Sequence, residues 1–340
     1  MSTAEIVEDI ARQHAGHPRL SAALRLIGNC GVETRYMTRP LHSPTVAGEA
    51  SPAARVDAAR RDALDLATRA AALALDSAGL TAADIDCLVT SHSTVPGVPG
   101  LGPYLVNDLG LRATVRRIPS TTLGCAGGSH ALTRAAEYVA AHPGRKVLVV
   151  ASEVHSVLYN RAATSLSSML FRALFGDGAA ACVVGGDPLG PGLCITDSWE
   201  YLLPGSTEEL RGFMDDDGLR LESPHGLMAA ASDALPPLRE WYVDSAGAER
   251  PGPYVPPEVA VLHPGGPKIL EGVSAGLGLA REAVRHSWDS LREYGNLGAT
   301  AVLDILARTH ESAPPAGAPA LLVGYGPGFT AIGCRGYWHR

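Results

Sequence analysis

The sequence predicts an α/β fold in which helices cover both faces of a buried sheet. The segment Lys146–Ala151 reads as a strand that is apolar on both faces, as in sheets covered on each side. Strand-like and helix-like patterns alternate between residues 80 and 190. A glycine turn followed by a strand of small apolar residues occurs at 175–185 and again at 324–333, so we expect two related halves.

The expected first half covers residues 1–187. Its first 40 residues predict short helices around a turn at Gly31, and residues 43–54, rich in Ser, Pro and Ala, predict a surface loop. An alanine- and arginine-rich helix is expected from Ala53 to Ala78, because Gly79 then stops the pattern. The elements expected after it are a strand at 87–90, a Gly/Pro-rich loop at 95–103, an extended segment at 113–118 and a helix from Cys125 to Pro143.

The expected second half covers residues 188–340. Residues 189–257 contain many prolines, glycines and acidic residues, and we expect them to be excursions that cap the fold. Val259–Leu262 predicts a buried strand, and residues 301–307 predict a helix.

Composition narrows the classes of function. The chain has 28 Lys and Arg against 35 Asp and Glu, a net charge of −7, and no basic run, so we expect no nucleic-acid partner. The first residues are acidic and amphipathic, and no apolar run is long enough for a membrane span, so we expect a soluble, cytoplasmic protein. The 6 cysteines are widely spaced without zinc-like spacing, which predicts reduced thiols and no metal site.

Cys125 stands where an extended segment turns sharply into a helix, within LGCAGGSH. A helix N-terminus offers unpaired N–H groups and a partial positive charge, which favour a thiolate and stabilise a nearby oxyanion. The flanking glycines let a substrate approach the backbone closely. Taken alone, however, a lone cysteine near a helix start is more often a packing residue.

Two further polar residues follow strands or precede helices in the second half. His263 ends the strand Val259–Leu262, at the edge of an α/β sheet where ligands usually bind. Asn296 lies between glycines before the helix at 301–307. A structural histidine and an N-cap asparagine are the alternatives. Together with Cys125, an imidazole and an amide suit acyl transfer onto sulfur beside donors for an oxyanion.

Five motifs in order carry a resemblance to a known family. They are GCAGG around Cys125, LFGDGAA at 174–180, HPGGPKIL at 263–270, GNLGA at 295–299 and GYGPGFT at 324–330. They resemble the type III polyketide synthases, the chalcone-synthase-like enzymes of the thiolase fold, and residues 14–35 are more similar to the bacterial branch. The resemblance implies a thiolase-like layered αβαβα fold built from two related halves.

The resemblance also implies a reaction. Cys125 would be acylated by an acyl-CoA starter, while His263 and Asn296 bind the thioester carbonyl and promote decarboxylation of malonyl-CoA. Repeated condensation and cyclisation would then give a small pyrone or phenolic product. The resemblance implies that CoA thioesters are the substrates and that no metal or other cofactor is required. The family is homodimeric, and Val98 stands where a residue reaches across the dimer interface.

Further roles are implied by alignment with the family. Phe175 matches a gatekeeper phenylalanine between the CoA tunnel and the cavity, or else is a core aromatic; Leu221 matches a second gatekeeper. Arg25 and Lys268 match positions near the CoA phosphates, or else are solvated surface charges. The cavity-lining positions implied in the same way are Ser93, Val98, Leu158, Phe171 and Gly298.

The chain departs from the family at several positions. Compared with the family it begins late, without the usual first strand. Bacterial tetrahydroxynaphthalene synthases have a further cysteine at the position of Ser93, which argues against that product. Gly298 replaces a serine of many relatives and Phe171 replaces a glycine of the plant enzymes, which predicts a differently shaped cavity.

Three other functions remain as alternatives. A thiolase-fold acyltransferase would use Cys125 without decarboxylation. A single-condensation ketoacyl synthase is disfavoured because the histidine lies in HPGG rather than HxAN. A silent scaffold subunit is disfavoured because the cysteine, histidine and asparagine are all present.

Overall fold

The computed structural model describes residues 1–223, 227–244 and 254–340. The helices in chain order are α1 (Thr3–Gln13), α2 (Leu20–Gly28), α3 (Pro44–Ala47), α4 (Pro52–Ser77), α5 (Leu101–Asp108), α6 (Gly127–Ala141), α7 (Leu166–Leu174), α8 (Leu227–Asp233), α9 (Leu235–Asp244), α10 (Pro267–Gly276), α11 (Arg285–Tyr294) and α12 (Ala301–Glu311). The strands are β1 (Cys87–Ser91), β2 (Arg116–Pro119), β3 (Lys146–Glu153), β4 (Gly178–Gly185), β5 (Gly192–Leu202), β6 (Arg211–Asp215), β7 (Gly218–Glu222), β8 (Val259–Leu262), β9 (Pro319–Gly326) and β10 (Thr330–His339).

Two four-stranded sheets organise the described chain. The first has the order β2-β1-β3-β4, in which β1 is parallel to β2 and β3 while β4 is antiparallel to β3. The second has the order β5-β10-β9-β8, in which β8 and β9 are parallel and β10 is antiparallel to both its neighbours. Strands β6 and β7 form a separate hairpin.

Alternating side chains on the strands separate the core into layers. In β1, Leu88 packs in an outer cluster with α4, while Val89 packs in a central cluster with α6 and α12. In β9, Leu322 joins that central cluster, while Val323 packs outward against α8–α10. The order is therefore helix, sheet, helix, sheet, helix, which confirms the predicted αβαβα fold.

The two halves repeat one arrangement. In the first, β1 and β3 are parallel and β4 returns antiparallel to β3. In the second, β8 and β9 are parallel and β10 returns antiparallel to β9. The glycine-rich segment at 175–185 contains the returning strand β4, and the one at 324–333 contains the turn from β9 into the returning strand β10. Both segments therefore belong to the returning part of the repeated arrangement.

Two expectations from the sequence were wrong in part. Residues 43–54 are not a plain surface loop, because they contain α3 and the start of α4, and Val46 and Ala47 are buried. The described part of residues 189–257 is not only a capping excursion, because β5 pairs with β10 along its length and adds a strand to the second sheet. Residues 224–226 and 245–253 of that range lie outside the described residues. Trp199 and Tyr201 of β5 stack on each other, with ring centroids 5.4 Å apart.

Arg55, near the start of α4, anchors an excursion to the first half. It is only 4% exposed, and its guanidinium donates hydrogen bonds to the backbone oxygens of Thr45, Val157, Tyr159 and Asp217. Because Asp217 lies in the β6–β7 turn, this hairpin is fixed over the turn at 155–158. Among the described residues, no helix is both long enough and apolar enough to cross a bilayer.

Candidate active site

Cys125 lies in a 3₁₀ turn, Gly124–Ala126, that leads directly into α6. The turn is possible because Gly124 adopts φ +50°, where a Cβ would also lie 2.6 Å from Cδ of Pro327. The backbone N–H of Gly124 donates to Oγ of Ser93 at 3.0 Å. The expected position at a helix N-terminus is therefore observed, and both halves of the chain hold the turn in place.

Asn296 reaches the same place from the second half. Its Oδ1 lies 3.9 Å from Sγ of Cys125 and accepts a hydrogen bond from the backbone N–H of Gly298 at 2.8 Å. Because Oδ1 is engaged in this way, the amide Nδ2 is left to donate to a ligand. The segment is fixed by Phe175, which forms a parallel bridge to Asn296.

His263 follows β8, where its backbone N–H donates to the carbonyl of Val323 at 2.9 Å. The side chain is 2% exposed, and its Nδ1 is buried without a hydrogen-bond partner in the described chain. It lies close enough to the imidazole of His155 for that ring to affect its pKa. The ring of His155 also contacts Gly298, two residues after Asn296. The fold thus brings the predicted thiol, amide and imidazole to one buried region.

The charges in this site differ from the expected thiolate and imidazolium. Desolvation, followed by the nearby Glu153 carboxyl, raises the pKa of the Cys125 thiol to about 12. Burial, followed by His155, lowers the pKa of His263 to about 3. At neutral pH the resting site therefore contains a thiol and a neutral imidazole, because low dielectric surroundings disfavour both charged forms.

Sequence reasoning did not identify Glu153 and His155. Glu153 is the last residue of β3 and is 1% exposed, and His155 begins the turn that follows. Both flank Gly298, where a Cβ would lie 2.6 Å from Cε1 of His155 and 3.3 Å from Cγ of Glu153. An acidic residue and a histidine at the carboxyl end of an apolar strand were the available signal.

Two predicted cavity residues and the predicted gatekeeper phenylalanine lie together beside His155. Leu158, Phe171 and Phe175 line a recess with about 260 Å³ of space free of atoms, part of it open to solvent. The rings of His155 and Phe175 stack, with centroids 4.6 Å apart and planes 10° apart, and Phe171 packs on Phe175 at 5.5 Å. Cys125 is not among the residues that line this recess.

The remaining predicted residues lie further out. Leu221 is in β7, opposite Gly212 in the hairpin held by Arg55. Val98 is fully exposed in the single chain, so it does not line this chain's own cavity. Arg25 in α2 and Lys268 in α10 are both exposed at the surface.

The arrangement suits nucleophilic attack by sulfur on a carbonyl carbon. A neutral imidazole can accept the thiol proton, and amide and imidazole N–H groups can stabilise an oxyanion in a site from which water is largely excluded. Among the described residues, no group of three His, Cys, Asp or Glu side chains is arranged to hold a metal ion.

Family models support this interpretation. The model for the N-terminal domain of chalcone and stilbene synthases matches residues 17–188, and the model for their C-terminal domain matches residues 195–334. A 1,3,6,8-tetrahydroxynaphthalene synthase of Streptomyces coelicolor is 34% identical over 335 residues, which cover 98% of this chain and 87% of that protein. A phloroglucinol synthase of Pseudomonas fluorescens is 30% identical over 98% of this chain and 94% of its own length.

Solved structures agree with the sequence comparisons. The crystal structure of 1,3,6,8-tetrahydroxynaphthalene synthase from Streptomyces coelicolor superposes with a TM-score of 0.93 at 33% identity, covering 100% of this chain and 96% of the other. Germicidin synthase from the same species, described as a type III polyketide synthase, has a TM-score of 0.90 at 31% identity, covering 99% and 95%.

Proposed function

Because this chain belongs to the chalcone and stilbene synthase family and is a type III polyketide synthase of the thiolase fold, we propose that Cys125, His263 and Asn296 are its catalytic residues. Cys125 holds an acyl starter taken from CoA, and malonyl-CoA supplies the extender units. The observation that carries the proposal is the placement of Cys125 Sγ 3.9 Å from Oδ1 of Asn296 in a site that also contains His263.

Loading begins from the neutral pair. His263 accepts the thiol proton as Sγ attacks the thioester carbonyl of the starter, so no free thiolate has to exist in the desolvated site beforehand. The tetrahedral oxyanion forms beside the Nδ2 of Asn296 and the start of α6. The C–S bond to CoA then breaks, and the CoA thiol takes up the proton from His263.

Extension uses the same donors. The malonyl carboxylate leaves as CO₂, and the electron pair of the broken C–C bond becomes an enolate on the thioester oxygen. N–H donors on Asn296 and His263 stabilise that charge more than they stabilise the neutral thioester, which is the requirement for catalysis. The enolate carbon attacks the acyl carbon on Cys125, the C–S bond to Cys125 breaks, and the departing sulfur takes up a proton from water. The chain, now two carbons longer, is a thioester of CoA, and it is transferred back to Cys125 as in loading before the next extension.

The experiment is an incubation of the purified protein with malonyl-CoA and a panel of acyl-CoA starters, followed by mass spectrometry of products and of the intact protein. We expect a polyketide product and an acyl adduct that both disappear in Cys125→Ala. Cys194→Ala is the matched control, because Cys194 is also partly exposed but lies in β5. Acyl adducts without any malonyl-derived product would indicate an acyltransferase, and no adduct would indicate a scaffold subunit.

We further propose that Arg25 and Lys268 bind the CoA phosphates. Both are exposed cations, and the turn that follows α2 packs on the start of α10, since a Cβ at Gly31 would lie 2.7 Å from Cγ of Pro267. Arg25→Gln and Lys268→Gln should raise KM for malonyl-CoA several-fold without changing kcat, since phosphate binding is equal in ground and transition states. Arg69→Gln on the exposed side of α4 is the control and should leave KM unchanged.

We propose that the enzyme is a cytoplasmic homodimer. The family resemblance places Val98 where a residue reaches across the dimer interface, and its side chain is fully exposed in the single chain, so it is free to contact a second chain. Light scattering should give twice the mass of the chain, and Val98→Asp should shift it toward the monomer. A monomeric wild-type protein would contradict the proposal.

A further inference from the structure

Asp177 is a buried carboxyl group to which the reaction described above gives no task. It lies just before β4 and is 4% exposed. Its Oδ1 accepts a hydrogen bond from the backbone N–H of Ser156 at 2.8 Å, and its Oδ2 accepts one from the backbone N–H of Thr38 at 2.8 Å. The N–H of Asp177 itself donates to the carbonyl oxygen of Tyr36 at 2.9 Å. Asp177 therefore ties the chain before α3 and the turn after β3 to one point.

The backbone just before Asp177 holds the segment that contains Asn296. The N–H of Asn296 donates to the carbonyl oxygen of Leu174 at 2.8 Å, and the N–H of Gly176 donates to the carbonyl oxygen of Asn296 at 3.1 Å. The two backbones lie so close that a Cβ on Gly295 would be 2.5 Å from the oxygen of Leu174. The position of Asn296 is therefore set by a bridge that ends one residue before Asp177.

The side chain of Asn296 follows the position of its own backbone. Its Oδ1 accepts from the N–H of Gly298, two residues further along the same segment. Because this local bond fixes the amide on its segment, a shift of the segment moves the donor Nδ2 with it. A displacement of about 1 Å at a reacting group can slow a reaction about 10²-fold. The groups that anchor this segment therefore affect the rate at which the amide acts.

A carboxylate suits this anchoring role better than an amide does. Two N–H donors face Asp177, and only a carboxylate offers an accepting oxygen to each of them. An asparagine has the same shape, but its NH₂ group would face one of the two donors and leave that N–H buried without an acceptor. Such a contact is unfavourable, so we expect the backbone to shift until it is relieved.

We propose that Asp177 is a positioning residue for the decarboxylation of malonyl-CoA, because its carboxylate anchors the segment that places Nδ2 of Asn296 at the thioester oxygen. This inference rests on the proposed function, and in it Asp177 acts through Asn296 and makes or breaks no bond itself. The enolate depends on donors from Asn296 and His263, whereas the oxyanion formed in loading also lies beside the start of α6. Decarboxylation therefore depends on the position of Asn296 more than loading does.

The test is a double-mutant cycle between Asp177 and Asn296. Release of CO₂ from malonyl-CoA is measured for wild type, Asp177→Asn, Asn296→Ala and the double variant, and acylation of Cys125 by hexanoyl-CoA is followed separately by intact-protein mass spectrometry. We expect Asp177→Asn to lower kcat for CO₂ release at least tenfold, while KM for malonyl-CoA and the acylation rate change less than about threefold. In the Asn296→Ala background the same substitution should lower kcat less than about twofold, since no amide is left to position.

Asp76→Asn is the matched control, because Asp76 is an exposed carboxylate on α4 and its substitution should change neither rate. Equal losses of CO₂ release and of acylation in Asp177→Asn would indicate a general loss of structure and overturn the inference. A full tenfold loss in the Asn296→Ala background, or an unchanged kcat in Asp177→Asn, would overturn it as well. If Asn296→Ala releases no measurable CO₂, the ratio of the two losses in Asp177→Asn decides alone.

Melting temperatures identify any variant that fails to fold. If Asp177→Asn does not fold, Thr38→Pro replaces it, because it removes one N–H donor to the carboxylate and keeps the carboxylate itself. Thr38→Pro should show the same selective loss of CO₂ release, and an unselective loss overturns the inference. A wild-type protein that releases no CO₂ contradicts the proposed function itself, whereas the variants bear on Asp177 alone.

Discussion

Glu153→Gln should change how the stability of the folded protein depends on pH. Burial raises the pKa of Glu153 from its ordinary 4.5 to about 7, so the folded state binds this proton more tightly than the unfolded state does. The folded state is therefore favoured below pH 4.5, loses that advantage as the pH rises from about 4.5 to about 7, and loses no more above it. A glutamine at this position cannot ionise, so the variant should lack this loss.

The magnitude follows from the two pKa values. A shift from 4.5 to about 7, at about 1.4 kcal/mol for each tenfold change in proton affinity, corresponds to a loss of about 3 kcal/mol. We therefore expect the difference in free energy of unfolding between Glu153→Gln and wild type to be about 3 kcal/mol larger at pH 8 than at pH 4.5, in favour of the folded variant. The amide oxygen can still accept from the N–H groups of Ser93 and Thr94.

Equilibrium urea unfolding, followed by circular dichroism at a fixed protein concentration between pH 4.5 and 8, measures this difference. Glu49→Gln is the control, because Glu49 is exposed and should give a curve parallel to that of wild type. If the curves of Glu153→Gln and wild type are also parallel, Glu153 does not bind its proton more tightly in the folded state, and the account of its buried carboxyl is refuted.

Three further predictions concern the framework of the site. Arg55→Met should lower the free energy of unfolding by about 3 kcal/mol, since four backbone oxygens lose a buried donor. A loss under 1 kcal/mol, measured by urea unfolding, would contradict the anchoring role of Arg55. Gly124→Ala should slow acylation of Cys125 at least tenfold by intact-protein mass spectrometry, because its Cβ would lie 2.6 Å from Cδ of Pro327 at φ +50°; an unchanged rate would show that the turn relaxes freely. Iodoacetamide should alkylate Cys125 slowly at pH 7 and about tenfold faster for each pH unit up to pH 9, because the pKa of the Cys125 thiol is raised to about 12. Fast alkylation at pH 7 would mean that an imidazolium stabilises a Cys125 thiolate.

The α/β fold and the position of Cys125 at the start of a helix were predictable because their signals are local, and the layered arrangement followed from the family resemblance. The turn into α6 at Cys125 and the end of β8 at His263 depend on glycine, proline and apolar periodicity within a few residues. Strand β5 was missed because turn-forming residues surround it, although Trp199 and Tyr201 alternate as in a strand with one covered face.

The contact of Glu153 and His155 with Gly298 was harder to predict. That Glu153 and His155 meet at Gly298 depends on contacts between segments more than 140 residues apart, and no local pattern encodes such contacts. The charge state of Cys125 was missed for a related reason, since desolvation by the folded protein outweighs the local effect of the helix N-terminus.

The contact between the two central helices has a consequence for laboratory evolution of this enzyme. A Cβ on Gly128 in α6 would lie 2.0 Å from the carbonyl oxygen of Ala299, just before α12, so the backbones that carry Cys125 and Asn296 touch without any side chain between them. Any residue larger than glycine would push the sulfur and the amide apart together with their helices. In a randomised library selected for new products, position 128 should remain glycine in every active clone, while the accepted changes collect on the wall formed by His155, Phe171 and Leu158.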